Sequence, residues 1–170
     1  MNSEKGKFIV LYGINNLGKT TQAKLLVEKI NATNKKTIYL KYPIYNIEPS
    51  GTMINDYLRN NNSHDLTIRE VQLLYAMNRF QYETKLKEIL NSGTHVIAED
   101  YTGTGLCWGI GAGADEKFMK KINSTLLQED IAFLFEGKRF LEATENNHKH
   151  ETNDELMQKV HDVHQRLGQE

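Results

Sequence analysis

Residues 8–21, which read FIVLYGINNLGKTT, join an apolar run to a glycine-rich turn. The run Phe8–Tyr12 has the composition of a buried strand. The pattern G-x-x-x-x-G-K-T occupies residues 13–20, and apolar residues recur at helical spacing from Ala23 to Ile30. Strand, loop and helix in this order predict a phosphate-binding loop, because the N–H groups of the loop and of the helix N-terminus point at one anion.

This loop predicts a binding site for a nucleoside triphosphate with Mg²⁺. The Lys19 ammonium is expected to reach the β- and γ-phosphates, and the Thr20 hydroxyl to ligate the metal. The residues expected to contact this ligand are Gly13, Asn15, Asn16, Leu17, Gly18, Lys19, Thr20 and Thr21. The alternative is an ordinary glycine turn between a strand and a helix, which the flanking patterns on both sides disfavour.

Composition places the chain among globular proteins of one domain, residues 1–170. Apolar residues make up 39% and charged residues 25%, so the chain resembles neither a disordered nor a membrane protein. The net charge of −1 gives no basic field for nucleic acid or for an acidic membrane. One cysteine, Cys107, excludes an internal disulfide framework, and the N-terminus has no apolar core of a signal peptide. We therefore expect a cytoplasmic location, no nucleic-acid partner and no membrane partner.

Strand and helix patterns alternate along the whole sequence. The predicted strands are 7–12, 37–41, 95–99 and 131–135, and the predicted helices are 19–33, 50–59, 67–90, 115–127 and one from 152 nearly to the end. Capping boxes at Thr67–Glu70 and Thr152–Glu155 mark two helix starts. The alternation predicts an α/β fold with a parallel sheet and helices on both faces. Ligands of such folds bind at the carboxyl ends of the strands, so we expect the site in 42–51, 99–113 and 136–151.

Tyr75 and Arg79 lie four residues apart on the long predicted helix and therefore share one face. A flat ring one turn from a guanidinium suits a nucleotide, since the ring stacks on a base and the guanidinium binds an anion. The spacing alone favours the alternative of a core tyrosine beside a surface arginine, because such pairs are common on helices, and the nucleotide site stays open as the second interpretation.

The order of motifs resembles the thymidylate kinase family over nearly the whole chain. The motifs that carry the resemblance are Gly18-Lys19-Thr20-Thr21-Gln22, Tyr42-Pro43, Leu73 to Arg79, Glu99-Asp100-Tyr101 with Thr104, and His148-Lys149-His150-Glu151. The resemblance implies a three-layer fold of the P-loop nucleoside monophosphate kinase type. It implies transfer of the ATP γ-phosphate to dTMP with Mg²⁺, and it suggests a homodimer.

The resemblance also assigns roles to residues of this sequence. Tyr75 is implied to stack on the thymine ring and Arg79 to contact the monophosphate. Glu99 is implied to lie near the metal and the phosphates, and Lys149 to be the cation of a lid at about 143–151. The residues implied to line the acceptor pocket are Tyr42, Pro43, Tyr101 and Thr104.

The chain departs from the family pattern at several of these positions. Tyr45 and Asp100 stand where the family usually has arginines, Lys149 replaces a lid arginine, and Asn15 replaces an aspartate of the loop. Lysine and tyrosine do not reproduce the bidentate phosphate contact of arginine, so the acceptor site is expected to be rebuilt. Lys41, Arg59 and Lys138 are candidates to compensate. The family's usual C-terminal strand and helix are expected to be absent from these 170 residues.

Two rival functions follow from the same motifs. A deoxyribonucleoside kinase would use Glu99 as the base for a hydroxyl acceptor, and a non-catalytic nucleotide-binding module would lack turnover. The segment Gly109–Gly113 resembles a dinucleotide-binding fingerprint but does not stand between a strand and a helix. It is expected instead to form a tight loop beside the nucleotide pocket, with Trp108 as an anchoring ring.

Overall fold

The structure is a computed structural model that describes residues 4–140 and 153–169. The described residues form four strands and six helices, with one or two helices after each strand. The elements are β1 Phe8–Tyr12, α1 Lys19–Asn31, β2 Thr37–Lys41, α2 Ser50–Arg59, α3 Ile68–Asn91, β3 His95–Glu99, α4 Thr102–Gly111, α5 Glu116–Asn123, β4 Ile131–Leu134 and α6 Asp154–Leu167. Among these helices none is both long and apolar enough to cross a bilayer.

The four strands form one parallel sheet in the order β2-β3-β1-β4. Alternate residues of β1 point to opposite faces. Phe8 and Val10 pack with Leu86 of α3, whereas Leu11 packs with Ala23 of α1 on the other face. Both faces of β1 are therefore covered by helices, which explains why all five of its residues are apolar. The predicted fold class, an α/β structure with helices on both faces of a parallel sheet, is confirmed.

Most element boundaries agree with the sequence prediction. The bounds of β2, α2 and β3 are as predicted, and Thr67 caps α3 in a capping box with Glu70. Helix α5 ends at Asn123, four residues before the predicted end at 127.

Helix α4 is a correction to the sequence prediction. Gly109–Gly113 was expected to be a tight loop, but residues up to Gly111 are helical. The glycines of α4 are sites of close packing: a Cβ at Gly109 would lie 2.5 Å from Met119 Cε, and one at Gly111 2.8 Å from Val160 Cγ2. Contact with α5 and α6 therefore outweighs the poor helix propensity of glycine. Trp108 lies on this helix and is buried.

The start of α6 is a second correction. The capping box predicted at Thr152–Glu155 is replaced by a cap at Asn153, whose side-chain oxygen accepts a hydrogen bond from the Leu156 N–H. Asparagine is at least as good an N-cap as threonine, so the helix begins one residue later than predicted. Thr152 itself lies outside the described residues.

Candidate functional site

A cavity of about 940 Å³ opens at the carboxyl ends of β2 and β3. Its lining includes the whole loop from Asn15 to Thr21, together with residues of α2, α3 and α4. The cavity thus lies at the edge of the sheet where ligands of parallel α/β folds bind. The predicted segments 42–51 and 99–113 both contribute to it, as does the described part of 136–151 through Phe140.

The glycine-rich loop adopts backbone angles that few residues accept. Gly13 has φ 130°, and a Cβ there would lie 2.7 Å from the Phe135 carbonyl oxygen. Gly18 has φ 81° and precedes the first residue of α1, so the loop runs directly into a helix N-terminus. The geometry is that of an anion-binding loop, in which helix N–H groups and the helix dipole favour negative charge.

Lys19 is buried at the base of this loop. Its Nζ donates hydrogen bonds to the carbonyl oxygens of Gly13 at 2.9 Å and Ile14 at 2.8 Å. The same atom lies 3.7 Å from Asp100 Oδ1. The loop therefore holds the ammonium of Lys19 at the wall of the cavity.

Thr20 and Glu99 meet at the end of β3. The Thr20 hydroxyl donates to Glu99 Oε2 at 2.6 Å, and the Tyr39 hydroxyl donates to the same oxygen at 2.7 Å. Lys41 Nζ lies 3.1 Å from Glu99 Oε1. Burial opposes the charged form, but Lys41 and the two hydroxyl donors outweigh it and hold the pKa of Glu99 below its ordinary value. A hydroxyl and an ionised carboxylate offer the hard oxygen ligands that Mg²⁺ prefers, so this donor set fits the metal.

Asp100 places a second acidic group beside the loop. Its backbone has φ 61°, and its Oδ1 accepts a hydrogen bond from the Thr104 hydroxyl at 3.0 Å. Burial raises the pKa of Asp100, and the neighbouring Lys19 ammonium opposes that rise. The position where the family usually has an arginine therefore carries an acid within reach of Lys19.

Tyr75 and Arg79 both line the cavity from α3. Arg79 is 5% exposed, and its Nη1 donates to Asn123 Oδ1 at 2.9 Å. A Cβ at Gly105 would lie 2.2 Å from Arg79 Nη2, so only glycine leaves room for the guanidinium there. The reading of this pair as a core tyrosine with a surface arginine is wrong, because Arg79 is buried at the cavity wall.

The segment after β2 is attached to α3 by Asn78. Asn78 Oδ1 accepts from the Ile44 N–H at 2.7 Å, and its Nδ2 donates to the Ile44 carbonyl and the Ser50 hydroxyl, each at 2.9 Å. These bonds hold the backbone that carries the cis peptide Tyr42-Pro43 at the cavity.

The remaining predicted residues fall in different places. Thr104 and Tyr101 both line the cavity, and the Tyr101 side chain is fully buried, with its ring 5.0 Å from the rings of Phe8 and Tyr42. Lys149 and the predicted lid at about 143–151 lie outside the described residues.

Sequence reasoning missed two of the partners that position this site. Tyr39 binds Glu99 from the neighbouring strand, and Asn123 binds Arg79 from the end of α5. Tyr39 stands two residues before the end of β2. Because parallel neighbouring strands end at the same edge of the sheet, this position indicated that Tyr39 lies near the end of β3. Nothing in the sequence around Asn123 marked it. Of the candidate compensating cations, Lys41 and Arg59 line the cavity and Lys138 does not.

The sheet order, the loop and the cavity define a P-loop fold of the nucleoside monophosphate kinase type. The solved thymidylate kinase from Candida albicans superposes with a TM-score of 0.79 at 22% identity, covering 96% of this chain and 78% of that one. The family model described as thymidylate kinase matches residues 11–170. The chain therefore belongs to the thymidylate kinase family.

Curated relatives carry the same family name. The chain is 31% identical to a thymidylate kinase of Plasmodium falciparum over 134 residues, which are 78% of this chain and 62% of that relative. It is 28% identical to a thymidylate kinase of Schizosaccharomyces pombe over 168 residues, which are 98% of this chain and 79% of that relative. A thymidylate kinase of Dictyostelium discoideum is 30% identical over 76% of this chain, which spans 58% of that relative. The chain thus spans less than two thirds of two of these relatives.

Proposed function

We propose that this protein transfers the γ-phosphate of ATP to dTMP, giving dTDP and ADP. The observation that carries the proposal is that one cavity is lined both by the glycine-rich loop and by Tyr75 and Arg79. Its volume of about 940 Å³ is at the upper end of the range typical of ligand pockets. A donor and an acceptor bound in one cavity can react in line, as phosphoryl transfer requires.

The chain's own residues supply positioning and charge in this proposal. Lys19 and the loop N–H groups bind the β- and γ-phosphates, while Tyr75 stacks on the thymine and Arg79 binds the acceptor. Thr20 and Glu99 would hold Mg²⁺, which supplies positive charge against the transferred phosphoryl group. The acceptor is a phosphate oxygen, already largely ionised because its second pKa is about 6, so no general base is required.

The state of Glu99 favours a phosphate acceptor over a hydroxyl acceptor. A deoxyribonucleoside kinase needs a carboxylate able to take a proton from the hydroxyl. Glu99 is paired with Lys41 and accepts two hydroxyl hydrogen bonds, and its pKa lies below the ordinary value. These contacts stabilise the carboxylate and make it a poor base, which argues against the nucleoside kinase.

The test is an ADP-release assay with Mg²⁺ and ATP across a panel of nucleoside monophosphates and nucleosides. We expect dTMP to give the highest kcat/KM, and Lys19→Ala to abolish turnover. Lys29→Ala, which removes an exposed lysine of the same helix, is the matched control and is expected to behave as wild type. Higher kcat/KM with thymidine than with dTMP would establish the nucleoside kinase instead. Binding of ATP without turnover of any acceptor would establish a non-catalytic module.

The homodimer is a prediction of the family resemblance, and the cytoplasmic location is a prediction of the composition. Sedimentation velocity of the purified protein tests the first, and fractionation of cells that express it tests the second.

A further inference from the structure

Gln72 carries a buried oxygen atom that has no hydrogen-bond partner among the residues that the structure describes. The residue lies on α3, is 4% exposed and lines the cavity. The atom without a partner is the amide oxygen, Oε1. A buried oxygen of this kind destabilises a folded protein unless a donor reaches it. The observation therefore points to a donor that comes from a ligand in the cavity.

A second amide side chain of the same helix behaves differently. Asn78 also lines the cavity, but its Oδ1 accepts a hydrogen bond from the Ile44 N–H. Its Nδ2 donates to the Ile44 carbonyl and to the Ser50 hydroxyl. Both ends of the Asn78 amide thus hold neighbouring segments of the fold together. The Gln72 oxygen makes no such connection, so it is available to a ligand.

The chemistry of an amide oxygen restricts what that ligand can offer. The hydroxyl groups of Tyr42 and Tyr101 also belong to the cavity wall and also have no partner among the described residues. A hydroxyl can donate or accept a hydrogen bond, whereas the oxygen of an amide only accepts one. The atom that meets Gln72 Oε1 is therefore an N–H or O–H group.

Helix α4 leaves room for the Gln72 amide. A Cβ at Gly109 would lie 3.2 Å from Gln72 Cδ, and a Cβ at Gly105 would lie 2.2 Å from Arg79 Nη2. The two glycines are four residues apart and share one face of α4. Gln72 and Arg79 are seven residues apart and share one face of α3. One glycine face therefore accommodates two polar side chains of the cavity wall.

The order of residues along α3 indicates which part of a nucleotide Gln72 meets. In the proposed function the Tyr75 ring stacks on the base, and Arg79 binds the phosphate one turn further along the helix. Gln72 precedes Tyr75 by three residues on the same face, on the side away from Arg79. A side chain on that side of the ring lies next to the edge of the stacked base and not next to the phosphate.

We propose that Gln72 determines which base the acceptor site takes, with its Oε1 accepting a hydrogen bond from the N3–H of thymine. This inference rests on the proposed function, because it names a further residue of the same acceptor site. N3–H is the single N–H donor of the thymine ring of dTMP, whereas N3 of cytosine is an acceptor. A site built to bind a donor rejects ligands that lack it, since its buried acceptor then stays unpaired.

The experiment measures by calorimetry the binding of dTMP, of dTMP methylated at N3 and of 3′-deoxy dTMP. Gln72→Met keeps nearly the shape of glutamine without its polar atoms, and it is expected to weaken dTMP binding by roughly tenfold or more. The KM for ATP is expected to stay at its wild-type value. Gln128→Met is the matched control, since Gln128 is exposed and does not line the cavity.

Methylation at N3 removes the donor from the ligand instead of the acceptor from the protein. Wild type is expected to bind the N3-methyl form roughly tenfold or more weakly than dTMP. Gln72→Ala has space for the methyl group and no oxygen to leave unpaired, so it is expected to bind the two ligands about equally.

Thermal unfolding separates this role from a merely structural one. Gln72→Met removes a buried oxygen that has no partner, so the melting temperature of the ligand-free protein is expected to rise by about 2 °C or more. A glutamine kept for the fold would give the opposite result. A lower melting temperature together with an equal loss of binding for all three ligands would overturn the inference.

The outcomes distinguish this inference from the proposed function. Binding of dTMP with the expected dependence on N3, but without phosphorylation, would overturn the function and support the inference. Phosphorylation of dTMP by a wild type that binds dTMP and its N3-methyl form equally would overturn the inference and leave the function standing. An effect of Gln72→Met that disappears with 3′-deoxy dTMP, and not with the N3-methyl form, would assign the oxygen to the sugar and overturn it. Absence of dTMP binding by wild type would overturn it as well.

Discussion

The Thr20 hydroxyl donates a hydrogen bond of 2.6 Å to Glu99 Oε2 and so joins the first turn of α1 to the end of β3. This bond brings the phosphate loop next to the residue that the resemblance associates with the metal. It also orients a hydroxyl and a carboxylate toward one cavity. The loop and the strand end therefore form one site rather than two separate motifs.

Glu99→Gln is expected to lower kcat by roughly 100-fold, the size of effect seen when one preorganised electrostatic group is removed. It removes the negative charge of the proposed metal site and leaves Lys41 without its carboxylate. The Mg²⁺ concentration that gives half-maximal rate is expected to rise. Glu88→Gln, at an exposed glutamate of α3, is the control. Unchanged Mg²⁺ dependence in Glu99→Gln would place the metal elsewhere.

Gly105→Ala is expected to raise the KM for dTMP by roughly tenfold or more. The new Cβ would lie 2.2 Å from Arg79 Nη2, so the buried guanidinium has to move away from Asn123. Displacing the Arg79 guanidinium is expected to weaken dTMP binding about as much as the loss of one charge-assisted hydrogen bond. Initial rates at varied dTMP and at varied ATP separate this effect from a general loss of fold.

A double-mutant cycle identifies the cause of that loss. In an Arg79→Met background, Gly105→Ala removes no guanidinium contact, and its further effect on the KM for dTMP is expected to be small. Full additivity of the two substitutions would show that Gly105 acts through something other than Arg79.

Asn78→Ala is expected to lower the free energy of unfolding by about 3 kcal/mol, because about 1 kcal/mol is typical of each hydrogen bond. The substitution removes its three contacts to Ile44 and Ser50 and leaves polar backbone groups without partners. Urea unfolding followed by circular dichroism measures the change. Asn91→Ala, at the exposed end of the same helix, is the control and is expected to change stability by less than about 1 kcal/mol.

Stability is expected to fall between pH 6.5 and about 4 because of His164. Burial, with smaller contributions from Lys19 and His161, lowers the pKa of His164 from 6.5 to about 4 in the folded protein. The unfolded chain binds a proton below 6.5 while the folded protein does not, so acid favours unfolding until about pH 4. The difference between the unfolded and folded pKa values of His164 corresponds to a loss of about 3 kcal/mol in unfolding free energy.

His164→Leu tests this pH dependence. The variant removes the titrating ring, so the decrease in unfolding free energy from pH 6.5 to 4 is expected to be smaller than in wild type. His64→Gln, at an exposed histidine, is expected to keep the wild-type profile. Identical profiles for wild type and His164→Leu would show that other groups cause the acid sensitivity.

The fold was largely predictable because local and tertiary preferences agree in most elements. Strands β2 and β3 are short apolar runs between polar turns, and α3 begins at a capping box. Helix α4 was missed because its glycines disfavour a helix locally, and their close approach to Arg79, Met119 and Val160 explains them. Information of that kind lies in the packing between helices and not in the local sequence.

The candidate site was predictable where a motif has a fixed spacing. The loop residues Asn15–Thr21 line the cavity, as their pattern predicted. Tyr75 and Arg79 line it too, but the spacing of this pair did not favour that placement and only the family resemblance implied it. Asn123 could not be assigned, because its role depends on the end of α5 packing beside Arg79 of α3.

The central claim is transfer of a phosphoryl group between two bound nucleotides, and the most direct measurement follows that group. Wild-type protein is incubated with Mg²⁺, dTMP and ATP labelled at the γ-phosphate, and the products are separated by chromatography. The account predicts that the label appears in dTDP in proportion to the ADP formed. Label found only in inorganic phosphate, or remaining in ATP with every monophosphate of the panel, would contradict it.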